Sequence, residues 1–139
     1  MILDTTYLER CISTLERALS LLHNVSEEEI DYDMYRSACV KEFEIILEQS
    51  GKLLKKVLRP YFSTSREVDQ LVFKDIFRSA ALHSIISVEE SARWMKYRDN
   101  RNTTAHDYGT GFANETVLLL PQFLTDAKAI VKTVQLRNL

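Results

Sequence analysis

At 139 residues, with 45% hydrophobic and 27% charged residues, the chain has the size and composition of one globular domain, and residues 1–139 are taken as a single unit. A formal charge of −2 exerts no global pull on nucleic acid, and no apolar run nears the roughly 20 residues that span a bilayer. Three glycines and two prolines are too few for a turn-rich sheet protein and favour long helices on short connections. The start, Met-Ile-Leu-Asp-Thr-Thr, has neither a basic region nor an apolar one, so it is not read as a secretory signal. Cys11 and Cys39 fall on predicted helices, which suits buried thiols in a reducing, cytoplasmic setting. No cysteine–histidine spacing suits zinc, and no cofactor is expected.

The first helix is predicted from about Tyr7 to His23. Leu8, Ile12, Leu15, Leu19 and Leu22 form its apolar stripe, and Thr6 with Glu9 has capping-box spacing. The acidic segment from Ser26 to Asp33 lacks a stripe and is expected to be a loop or frayed turn. A second helix covers roughly Asp33 to Arg59, with Ala38, Phe43, Ile46, Leu47, Leu54, Val57 and Leu58 inward, until Pro60 stops it. Gly51 is out of place there, because glycine in a helix interior costs about 1 kcal/mol relative to alanine. It marks either a close approach by another helix or a bend.

After a connection from Tyr61 to Arg66, a third helix is expected from Glu67 to about Ser84, with Val68, Leu71, Val72, Asp75, Ile76 and Ser79 along one side. His23, beside Asn24, is expected to be a C-terminal capping or surface histidine, and His83, near the end of the third helix, to be structural. Ser87 with Glu90 opens a fourth helix, carrying Val88, Ala92, Trp94 and Met95 inward and ending at Gly109 and Gly111. Asn114 can cap a fifth, which runs to about Leu136 with a kink expected at Pro121. No alternating run suggests a strand. The fold class is all-α, an antiparallel bundle of four to five helices.

Charge is uneven along this scaffold. Lys52, Lys55, Lys56 and Arg59 give +4 without an acid, and Arg93, Lys96, Arg98 and Arg101 against Asp99 give +3. Taking these seven charges from −2 leaves −9 elsewhere, much of it between Glu27 and Asp33. The two basic patches either form one phosphate-binding groove or are separate solvated helix faces.

The second patch runs into Arg98-Asp99-Asn100-Arg101-Asn102-Thr103-Thr104-Ala105-His106-Asp107-Tyr108, where polar and titratable groups concentrate. On a straight helix Arg101 and His106 stand about 140° apart, so they share no face. Arg98, Asn102 and His106 do share one, at steps of four. Bringing Arg101 and His106 to one phosphate therefore requires a distorted helix end or a two-fold axis between two copies. Histidine exchanges protons near neutral pH, and arginine grips phosphate oxygens in a planar fork. The pair has the parts for metal-independent RNA cleavage. A base takes the 2′-hydroxyl proton, the oxygen attacks phosphorus and the guanidinium stabilises the charge that develops. Arg101 and His106 are thus candidate catalytic residues, with Asn102 and Arg98 as supporting, phosphate-binding ones. Helix C-termini also attract arginine and histidine for dipole reasons alone.

The spacing Arg101-x4-His106-x-Tyr108 on a small all-α domain resembles the signature of the HEPN superfamily. The run from Trp94 to Tyr108 resembles its nucleotidyltransferase substrate-binding branch, and Leu3-Asp4, Leu15 to Leu19, Phe43-Glu44 and Lys52 to Lys55 extend the likeness over nearly the whole chain. The resemblance implies a bundle that dimerises through the motif helices and pairs with a minimal nucleotidyltransferase. In HepT-like toxin–antitoxin pairs of this kind, the HEPN protein is a metal-independent ribonuclease, silenced by AMPylation of the motif tyrosine. Carried over, Arg101 and His106 are catalytic, Asn102 supports the site and Tyr108 accepts AMP. The alternative implied by the branch's name is a non-catalytic subunit that binds nucleotide or another substrate and presents it to the nucleotidyltransferase. One departure stands out, since Gly51 precedes Lys52 where the branch often has an aromatic residue.

Overall fold

The computed structural model describes residues 2–104 and 110–138, with the side chains of 102–104 and 110–113 outside the description. The described residues form six α-helices and one short 3-10 turn: α1 Thr6–His23, α2 Ile30–Leu58, the 3-10 turn Arg59–Tyr61, α3 Ser65–Asp69, α4 Phe73–Leu82, α5 Val88–Thr104 and α6 Thr110–Leu136. No strand occurs among the described residues.

α1 and α2 form an antiparallel hairpin. α6 lies antiparallel to α1, fixed by Lys128 Nζ to Glu16 at 2.7 Å and Gln135 Nε2 to Thr5 at 3.4 Å. α5 runs antiparallel to α6 and to α4, whereas α4 starts beside Gly51 and ends with His83 against Tyr61, so it follows the second half of α2 in the same direction. The segment between Phe62 and Val72, containing α3, carries the chain back for this parallel pairing.

The core is knit by aromatic rings from four helices. Trp94 stacks on Phe77 at 4.9 Å, Phe123 meets Phe43 at 4.6 Å, and Tyr97 and Trp94 both stand edge-on to Phe123. Edge-to-face and offset pairs suit the ring quadrupole and add about 0.5–1.5 kcal/mol beyond area burial. Cys11 and Cys39 are free and buried, as expected, and burial pushes the Cys39 thiol up to about 11.

Several local expectations need correction. Thr5, not Thr6, is the N-cap of α1, and Thr6 N–H is held by Asp4 at 2.8 Å, so the proposed box does not form. α2 starts at Ile30, inside the segment read as loop, with Asp31 and Asp33 in the first turn where the helix dipole favours acids. The long third helix is two pieces. Thr64 caps α3, accepting from Glu67 N–H, and the chain breaks at Gln70–Val72 before α4 begins. Val72 is accordingly exposed, and Ile76, Phe77 and Ala80 form the buried face of α4. On α5, Val88 and Ala92 face solvent, while Ser91, Trp94 and Tyr97 turn inward. α6 starts at Thr110, so Asn114 is not its cap and Gly111 lies within it; Gly109 is outside the described residues. Ser87 and Glu90 do form a reciprocal capping box, at 3.0 and 3.3 Å.

Candidate functional site at the end of the fifth helix

Three sets of bonds fix the direction in which α5 points. Asp126, only 2% exposed, accepts both Arg93 Nε and Nη2 at 2.8 Å and the Tyr97 hydroxyl at 2.6 Å. A two-pronged arginine–carboxylate pair of this kind sets angle as well as distance. Burial, and then the bond to Asp126, push the Tyr97 hydroxyl well above its ordinary range, while the carboxylate raises the Arg93 guanidinium further. One turn further along, Asn100 Nδ2 donates to the fully buried Thr116 Oγ1 at 2.9 Å. On the other side, Lys74 pairs with Asp99 at 2.6 Å, and Ser91 Oγ donates to the Phe77 carbonyl at 3.1 Å. α5 is clamped between α4 and α6 up to its last turn.

Arg98 and Arg101 lie at the clamped end. Arg98 is half-buried, its guanidinium 5.0 Å above the Phe73 ring, a cation–π arrangement that holds the group and leaves its N–H donors available. Arg101 is half-buried in the last turn of α5. Neither has an ion pair among the described residues. The Asn102 side chain, His106 and Tyr108 lie outside the described residues, as does any distance between Arg101 and His106.

Phe73 also explains Gly51. A Cβ on Gly51 would stand 3.2 Å from Phe73 Cδ2 and 3.3 Å from Cε2. Of the two sequence alternatives, close approach is the one observed. The space beside α2 that an aromatic residue at this position would claim is occupied by a ring from α4, and that same ring supports Arg98.

Three cations of the two basic patches are already engaged. Lys55 Nζ donates to the Asp69 carbonyl at 2.9 Å, Arg59 pairs with the Asp69 carboxylate at 3.4 Å, and Arg93 is committed to Asp126. Lys56 lines a pocket near the chain termini instead. The residue that sequence reasoning missed is Asp126. Its signal was present: an acid in the apolar run Phe123-Leu124-Thr125-Asp126-Ala127, on the core-facing side of α6. A buried acid requires a partner, and Arg93 and Tyr97 supply it.

The family described as nucleotidyltransferase substrate binding protein like matches residues 8–136. A Haemophilus influenzae protein named "Probable ribonuclease HepT" is 27% identical over 106 residues, covering 76% of this chain and 71% of that protein. A solved Haemophilus influenzae structure, described as the fold of a substrate binding domain of a nucleotidyltransferase, superposes with a TM-score of 0.80. It is 22% identical, and the match covers 95% of this chain and 99% of that one.

Proposed function

The chain belongs to the nucleotidyltransferase substrate-binding protein family, and from that premise we propose that it is a HepT-like, metal-independent endoribonuclease paired with a minimal nucleotidyltransferase. The observation that carries this is the run Arg101-x4-His106-x-Tyr108, which begins in the last turn of a helix whose direction is fixed by buried polar bonds, in a chain related to a protein named as a ribonuclease. His106 takes the 2′-hydroxyl proton and the freed oxygen attacks the adjacent phosphorus. The 5′-oxygen leaves and takes up a proton from water, His106 returns its proton to solvent, and the products are a 2′,3′-cyclic phosphate and a 5′-hydroxyl end. Arg101 stabilises the charge on the phosphoryl oxygens. Arg98 and Asn102 bind and orient the phosphate. The sequence spacing of Arg101 and His106 favours assembly of the site between two copies of the bundle, each copy being one domain over 1–139.

The partner nucleotidyltransferase silences the toxin by transferring AMP from ATP to the Tyr108 hydroxyl, with release of pyrophosphate. The added phosphodiester brings negative charge and bulk to the place where RNA phosphate must sit. Expression of the chain alone in a cytoplasm is expected to arrest growth, with relief by His106→Ala and by co-expression of the nucleotidyltransferase. Mass spectrometry after co-expression is expected to find AMP on Tyr108; AMP on another residue, or on none, removes the switch. The family's description also supports a substrate-presenting subunit without catalysis, and unimpaired growth alongside stable binding to the nucleotidyltransferase would favour that role.

A further inference from the structure

At the pole of the bundle where α2 and α6 end, a pocket of about 510 Å³ is lined by Leu3, Lys56, Val57, Arg59, Pro60, Tyr61, Arg137 and Asn138. This is the opposite end of α6 from the one that follows the motif, 26 residues along the helix, or roughly 40 Å at 1.5 Å per residue. The pocket's chemistry is one-sided: two arginines and a lysine line it, and no acid does so among the described residues. Lys56 has no ion pair among the described residues. Arg137 makes only one, uncharged, hydrogen bond there, from Nη1 to the Tyr61 hydroxyl at 3.3 Å. Arg59 reaches an exposed Asp69 at 3.4 Å, a pair that solvent weakens.

The walls are held in place before any ligand arrives. Asn138 brackets Leu3 with two bonds, accepting from its N–H at 2.8 Å and donating to its carbonyl at 2.9 Å, which ties the chain's start to its end. Tyr61 is held by Arg137 and by His83, whose ring centroid is 4.5 Å away. Pro60 stiffens the backbone that carries Arg59 and Tyr61. Leu3, Val57 and Pro60 supply apolar wall, and Tyr61 an aromatic one. Three cations in a preformed, partly apolar cavity within the usual ligand range of about 300–1,000 Å³ fit a compact dianion attached to a planar body.

We propose that this pole pocket binds a nucleoside monophosphate, its phosphate held by Lys56, Arg59 and Arg137 and its planar base placed against Tyr61, Pro60 and Val57. The site is separate from the α5 end and stands whether or not the chain cleaves RNA.

The test is an NMR titration of the isotopically labelled full chain with AMP, in an Arg101→Ala background that weakens binding at the motif. Saturable shifts at Leu3, Val57, Tyr61, Arg137 and Asn138 are expected. The double variant Lys56→Gln, Arg137→Gln should weaken the apparent affinity at least tenfold while retaining the wild-type helical spectrum, since both residues are surface cations. Adenosine and inorganic phosphate, as separate arms, should each bind at least tenfold more weakly than AMP. Absence of saturable shifts at the pole overturns the site, as does insensitivity to the double variant. Adenosine binding as well as AMP overturns the phosphate role, and phosphate binding as well as AMP overturns the role of the planar wall.

Discussion

Asp126 decides how α5 is presented, because one buried carboxylate holds both Arg93 and Tyr97. Removing it leaves Tyr97 without an acceptor in the core, whereas Arg93, 38% exposed, can turn to water. Asp126→Ala is therefore expected to cost about 2–3 kcal/mol, less than a wholly buried pair would, and Tyr97→Phe about 1 kcal/mol. Urea unfolding monitored by circular dichroism measures both, and equal losses in the two variants would contradict the division. Cys39 offers a pH-dependent check at the same scale. Its folded-state pKa is raised from 9.0 to about 11 by burial, so the thiol's contribution is intact below pH 9 and is lost as pH rises from there through 11. The stability gap between wild type and Cys39→Ala should narrow by about 2 kcal/mol between pH 8.5 and 11. A constant gap would mean that Cys39 is hydrated.

At the scale of elements, the helices with clean stripes were legible in the sequence and the short ones were not. α1 buries Leu8, Ile12, Leu15, Leu19 and Leu22, the same residues that recur at helical spacing. The capping pair Ser87 and Glu90 also forms as its spacing implies. The third helix failed because Gln70–Val72 carries no proline or glycine to announce a break. The break comes from tertiary demand, since α4 must start beside Gly51 to pack Phe73 and Phe77. Val88 and Ala92 were misplaced because α5 buries a polar-looking face, in which Ser91 and Tyr97 are satisfied by bonds that no single-helix pattern shows. Of the candidate site, the place of Arg98 and Arg101 near the end of a helix could be read from the sequence, but the Phe73 support under Arg98 could not, because it joins residues 25 apart in sequence.

The junction of α2, α4 and α5 gives an element-scale prediction. Gly51→Ala gains helix propensity of about 1 kcal/mol but must push a half-buried ring by a few tenths of an ångström, so its net effect should lie within about 0.5 kcal/mol of zero. Gly51→Leu has no such room and should destabilise by about 2 kcal/mol. It should also displace Phe73 from beneath Arg98, visible as altered Arg98 side-chain resonances. Unchanged stability and resonances in Gly51→Leu would show that α4 does not depend on this contact.

For the whole molecule, the fold separates support from chemistry. The aromatic core and the Asp126 clamp hold α5 rigid between α4 and α6, and the proposed reactive groups follow from its last turn. A net charge of −2 gives little non-specific affinity for RNA, so in the proposed reaction local cations such as Arg98 and Arg101 do most of the phosphate recognition. The proposed two-fold assembly puts two copies of those cations near one groove, and light scattering of the purified chain should give twice the 16.1 kDa monomer mass. The most direct test of the central claim is incubation of the purified protein with single-stranded RNA in excess EDTA. Cleavage to 2′,3′-cyclic phosphate ends is predicted, with the rate falling by about 100-fold or more in both Arg101→Ala and His106→Ala. Intact RNA, or cleavage that survives both substitutions, would contradict it.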